Sequence, residues 1–237
     1  MTRRLTALFL ALVLMLSLSG CWETEPEPDS FWDEAPPADA SETPASTERL
    51  QISAFALPYL SGQSLDPITC IDGVQQTVAS LLYEGLFVLD GQFEPQPLLC
   101  QSYTLDADGL TYTFTLQSGV TFSDGSALSA NDVLATYRRA AESERYAARF
   151  ANVASMRVSG AALVITLSHA DARFPALLDI PIIKAGSENM AVPPGTGPYL
   201  FVNDSDGAAL IASDSWWRGK KLPLERITLA AAKDNDT

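Results

Sequence analysis

The stretch GLTYTFTLQSGVTFSDGSALSANDV, Gly109 to Val133, restricts the fold more than any other part of the chain. Tyr112, Phe114 and Leu116 alternate with Thr111, Thr113 and Thr115, so an extended backbone here has one packed face and one wet face. Ser123-Asp124-Gly125 marks a bend after Phe122, and Ser129 or Asn131 is placed to cap a helix through Val133, Leu134 and Tyr137. The stretch predicts two short strands, a turn and the start of a helix. It carries no catalytic group, so it reads as scaffold.

The flanking sequence extends the same alternation of short elements. A first strand is expected over Arg49–Phe55, and Pro67 imposes an extended or turning connection in Gly62–Thr69. Val74, Val78, Leu81, Leu82 and Leu86 fall near helical spacing, with Gly85 helping to end the helix. A hairpin is expected around Asp90-Gly91, then a strand ending at Tyr103 and a turn at 106–109. Helices follow over about Asn131–Glu142 and near Arg145–Val153. A second hairpin turns at Ser159-Gly160, and a short helix over Phe174–Leu178 is stopped by Pro181. VPPGTGPYLFV and LERITLA read as strands separated by a polar turn region. The chain is thus α+β, rich in antiparallel pairing, with no internal repeat and no heptad pattern.

The N-terminus is organised differently. Arg3 and Arg4 precede an uncharged apolar run, Leu5 to Leu18, too short to span a bilayer comfortably but suited to an export signal. The run ends in Leu18-Ser19-Gly20-Cys21, which reads either as a lipobox with Cys21 as the lipidated residue or as an ordinary secretory cleavage site. Residues 1–20 are therefore assigned as a lipoprotein signal peptide. Trp22 to Arg49 holds nine acidic residues and five prolines against one basic residue. Such a segment has too little apolar surface to offset its ordering entropy, so residues 21–49 are expected to be an extended tether. Trp22, Phe31 and Trp32 suit a headgroup boundary or a partner-binding motif. Residues 50–237 remain for the folded part.

The net charge of −14 argues against nucleic acid and against a polybasic membrane contact; attachment to the membrane would come through the lipid on Cys21. Cys70 and Cys100 are the remaining cysteines. Their even number in an exported chain makes them a candidate disulfide, and their apolar neighbours make two buried free thiols an equal alternative.

Catalytic chemistry is not supported. His169 is the only histidine, no G-x-S-x-G occurs, and no His or Cys cluster suits zinc. Gly195-Thr196-Gly197-Pro198 lacks the third glycine and following helix of a dinucleotide fingerprint, and no phosphate-loop lysine follows. The expectation is a non-enzyme with no metal and no cofactor.

Six segments then occur in order: SLDP at 64–67, LLYEGL at 81–86, PQPLLCQSY at 95–103, DGLTYTFTLQSGVTFSDGSALSANDV at 108–133, PPGTGPYLF at 193–201 and SWWRGKKLPLERI at 215–227. Together they resemble the extracytoplasmic solute-binding proteins of ABC importers, the peptide/nickel-binding family 5. The resemblance covers essentially everything from Leu50 onward. Departures are small: Gln117 stands where the family usually has Arg, Tyr103 where Trp is common, and Trp216-Trp217 where it has Tyr-Trp.

The resemblance implies the mixed-sheet N-terminal lobe of a periplasmic-binding-protein-like fold (type II, cluster C), with a small α/β subdomain inserted at about 75–170. Family members run on past the point where this chain stops, so the second lobe is expected to be absent. The implied role is the lipid-anchored binding component of an ABC importer for oligopeptides or dipeptides, working with a permease and ATPase at the outer face of the cytoplasmic membrane. The alternative is a non-transport lipoprotein whose single lobe is a structural or interaction module. Asp72-Gly73-Val74 matches the loop that contributes the first lobe's face of the cleft, where Gly73 would let an extended peptide approach; Asp72 as a plain helix cap is compatible with this. Tyr146 matches a region of aromatic contacts or is ordinary packing; the Gly195–Tyr199 loop is mainly a scaffold signature, with Gly197 and Tyr199 also candidates for the implied cleft. A single open wall is expected to hold peptides no tighter than about millimolar.

Overall fold

The structure, a computed structural model, describes residues 55–232. The expected signal peptide, the expected tether and Cys21 lie outside the described residues, as do residues 49–54 of the expected first strand. The observed first strand, β1, is Ala56–Leu60.

Two four-stranded sheets organise the described residues. The first has the order β1, β10 (Arg226–Ala232), β9 (Gly207–Ala212), β8 (Tyr199–Asp204). Within it β1 pairs parallel with β10, Ala56 beside Thr228, and the other pairings are antiparallel. Helix α1, Gly73–Leu82, lays Val78, Ala79 and Leu82 against Tyr59, Tyr199, Leu210, Ile227 and Leu229 to form the smaller core. This helix was expected at the start of the inserted subdomain; it packs on the first sheet instead.

The part of the chain between α1 and β8, expected as the inserted subdomain and called the inserted part below, begins with a hairpin of β2 (Phe87–Leu89) and β3 (Pro95–Pro97). Its sheet has the order β4 (Cys100–Leu105), β5 (Thr111–Leu116), β7 (Ala162–Leu167), β6 (Val153–Ser159). Tyr112 and Phe114 of β5 are almost fully buried against Leu163, Ile165 and helix α2, Ala130–Glu142, as the alternation required. The helix starts at Ser129, whose backbone N–H and hydroxyl both donate to Asp132 Oδ2, at 2.9 and 2.6 Å. The second strand expected within Gly109–Val133 reduces to one bridge, Thr121 to Ala127, around the Ser123–Gly125 bend. The helix expected near Arg145–Val153 is a single 3-10 turn, Ala147–Phe150, because Val153 already enters β6.

Three further boundaries differ from expectation. Helix α1 ends at Leu82 rather than near Gly85, because Tyr83 turns extended and the Leu82 carbonyl accepts from Gly197 N–H at 2.9 Å. Residues 192–198 are irregular and the strand starts only at Tyr199. Strand β9 was not expected at all: GAALIA has no polar–apolar alternation, since both its faces are largely covered.

Candidate functional site

The Asp72-Gly73-Val74 loop is the N-terminus of α1. Asp72 caps the helix, its Oδ1 accepting from Val74 N–H at 2.8 Å and Gln75 N–H at 3.3 Å. Gln75 is buried and anchors α1 to β1, its Oε1 accepting from Leu60 N–H and its Nε2 donating to Leu60 O. Gln76 Nε2 donates to the carbonyls of Cys70 and Ile71 and so fixes the chain entering the cap. Gly73 is exposed, and a Cβ added there would meet nothing within 4 Å. Ile71 is 80% exposed. Among the described residues, no acceptor meets the backbone N–H groups of Ile71, Asp72 and Gly73. The loop therefore holds main-chain donors without an acceptor among the described residues, beside an exposed apolar side chain.

The other sequence-derived residues lie in packed surroundings. Tyr146 is 4% exposed, part of the larger core, with its ring between the guanidinium groups of Arg145 and Arg149. It is a packing residue, not an aromatic wall. Tyr199 is buried in the smaller core and its hydroxyl donates to Leu224 O. Gly197 packs on the end of α1, where an added Cβ would sit 2.5 Å from Leu82 C. These three serve the scaffold. Cys70 and Cys100, the candidate disulfide, are both buried free thiols: Cys70 Sγ faces Asp72 O and Cys100 Sγ faces Ser102 O. Burial pushes both thiols above their usual range, Cys100 to about 11.

Sequence reasoning missed Glu84. Its carboxylate is buried and its Oε2 accepts from Trp217 Nε1 at 2.7 Å and Thr196 Oγ1 at 3.1 Å, joining three of the six segments singled out above. Burial raises its pKa, and the bonds from Trp217 and Thr196 partly oppose that rise. The available signal was an acid set inside the apolar run Leu-Leu-Tyr-Glu-Gly-Leu, which demands partners once the run is buried. A cavity of about 630 Å³ lies elsewhere, at the β9–β10 connection, lined by Trp216, Leu222, two lysines (Lys220, Lys221) and two acids (Asp214, Glu225). It includes none of the residues read as cleft-forming.

Comparison with known proteins bears on this arrangement. The family profile for bacterial extracellular solute-binding proteins, family 5 Middle, matches residues 94–237. The glutathione-binding protein GsiB of Salmonella typhi is 33% identical over 189 residues, covering 73% of this chain and 37% of its own length. The substrate-binding protein CtaP of Listeria monocytogenes superposes with a TM-score of 0.62 at 25% identity, covering 77% of this chain and 41% of that one. A nickel ABC transporter protein from Bacillus halodurans gives 0.61 at 28% identity, with 76% and 39% covered. The chain thus spans well under half the length of these relatives.

Proposed function

The chain belongs to the bacterial extracellular solute-binding proteins, family 5, and from that premise we propose that it is the substrate-binding component of an ABC importer that takes short peptides. The reading assigns it to the outer face of the cytoplasmic membrane, held by a lipid on Cys21 and delivering its solute to a permease and ATPase. The role is binding, not catalysis. The observation that carries the peptide reading is the Ile71–Gly73 segment, exposed at Ile71 and Gly73, whose backbone N–H groups have no acceptor among the described residues. A peptide backbone supplies carbonyl acceptors for such donors, whereas a bare cation would need several converging oxygens, nitrogens or sulfurs. The similarity to a glutathione-binding protein points the same way, glutathione being a small peptide.

Amide chemical-shift mapping tests this. Titration of the 237-residue chain with glutathione, and separately with a tri- to pentapeptide mixture, is expected to move the Ile71–Val74 resonances saturably at about millimolar ligand. No saturable change up to about 10 mM, or changes confined to the cavity around Trp216, would refute the assignment. Metabolic labelling with a fatty-acid analogue tests the anchor: the wild type takes label and Cys21→Ser does not.

A further inference from the structure

The loop proposed as a ligand wall is not held by α1 alone. Asp66, 1% exposed, begins the segment leading to it: its Oδ1 accepts from Ile68 N–H at 2.9 Å, and its carbonyl accepts from Cys70 N–H at 2.8 Å. Its Oδ2 accepts from Arg139 Nη2 at 2.6 Å. Arg139 stands in the last turn of α2, in the inserted part of the chain. Six residues on, beyond that helix, Arg145 Nη1 donates to Cys70 O at 3.2 Å, while its guanidinium rests on the Tyr146 ring. Two arginines of one part therefore grip both ends of the 66–70 segment that delivers Ile71, Asp72 and Gly73 from the other.

We infer that Arg139 and Arg145 are positioning residues for the Ile71–Val74 wall, so that the inserted part sets the geometry of a surface it does not itself contain. The inference rests on reading that loop as the ligand wall. The chemistry favours side-chain control here. A buried carboxylate left without its partner is an uncompensated charge held away from water, so the Asp66–Arg139 contact resists displacement. Arg139 engages Asp66 through one Nη only; its other, Nη1, is buried with no acceptor among the described residues. The contact is single rather than forked, and a lysine ammonium can reproduce it. Arg145 likewise makes one hydrogen bond to a carbonyl, which a lysine can also make.

Hydrogen exchange on the 237-residue chain reads this directly and needs no ligand. Arg145→Met is expected to speed exchange of the Ile68, Cys70 and Val74 amides about tenfold, while Tyr112 and Phe114 amides and the melting temperature stay unchanged. Arg145→Lys is expected to restore protection. Removing Arg139 alone strands the buried Asp66 charge and risks unfolding, so the paired variant Asp66→Asn/Arg139→Leu is used in its place, with the same local loss expected. Unchanged exchange at those three amides in both variants overturns the inference, as does a loss spread evenly over the whole domain. Peptide-induced shifts in the wild type report separately on the function: positioning can hold where peptide binding fails, and the reverse.

Discussion

Replacing Gly195 by alanine should be the most damaging single-methyl change in this domain. A Cβ there would stand 2.2 Å from Leu82 O and 2.4 Å from Tyr83 Cδ1. The first of these is backbone at the end of α1 and cannot swing aside. Relief requires the 193–197 loop to retreat by about an ångström, and such overpacking costs about 1–3 kcal/mol. Retreat also strains the bonds that seat the loop: Gly197 N–H to Leu82 O at 2.9 Å, Ser123 N–H to Gly195 O at 2.8 Å and Tyr83 hydroxyl to Pro193 O at 3.0 Å. Losing one of them adds about 1 kcal/mol, giving roughly 3 kcal/mol in all against a typical total of about 5–15. For a domain of this size that corresponds to a fall in melting temperature of roughly 6–12 °C. Thermal unfolding followed by circular dichroism, with urea titration to check that the m-value is unchanged, measures it. A fall of less than about 2 °C would show that the loop does not press on the helix end and that the glycine has some other cause.

Gly73→Ala should act in the opposite direction: with open space around its Cβ and a helical backbone, it gains about 0.5 kcal/mol. The same melting experiment checks this, and a loss of stability would mean the backbone at Gly73 is not helical. Glu84→Gln should alter the pH dependence of stability. The raised pKa of Glu84 means its contribution is full below its ordinary 4.5 and is lost as pH rises through the folded value. The wild type should therefore lose stability relative to the glutamine variant as pH climbs from about 4.5, and urea midpoints that run parallel across pH 4–8 in the two proteins refute it. Lys184→Met removes the 2.6 Å partner that, with Ser126, holds Asp124 near a pKa of about 2. Both groups are more than a third exposed, so a cost below about 1 kcal/mol is expected. Cys70 and Cys100 should resist alkylation in the native state and each take one label on unfolding without reductant. Peptide mass mapping that finds neither labelled would indicate a disulfide.

The parts of the fold legible from sequence were those whose signal is local. Alternation in Thr111–Leu116, turn residues at Asp106–Gly109 and Ser159-Gly160, and the caps Asp72 and Ser129 each specify structure within a few residues. What failed was set at a distance. The end of α1 is decided by Gly197, far along the chain, and not by the nearby Gly85. Strand β9 is small and apolar on both faces, so no period marks it. The candidate site divides in the same way. The local structure of the 72–74 loop was legible because its cap and its glycine are local signals: Asp72 caps the helix and Gly73 is exposed. Tyr146, Gly197 and Tyr199 were read towards the cleft because aromatic rings and glycines serve binding and packing equally; burial decides between them, and burial is not written locally.

The parallel pairing of Ala56–Leu60 with Thr228–Ala232 also bears on the order in which the domain comes into being. The two strands are joined through roughly 170 residues, and closing so long a loop is slow and must precede any gain from the contact. The sheet around β5 and β7 is assembled largely from neighbouring hairpins and one helix, so it can form while the rest of the chain is still being made. Until β10 arrives, β1 has no neighbour in its sheet and α1 has only part of its floor. The inserted part should fold first, and the wall it positions should be the last surface to take shape.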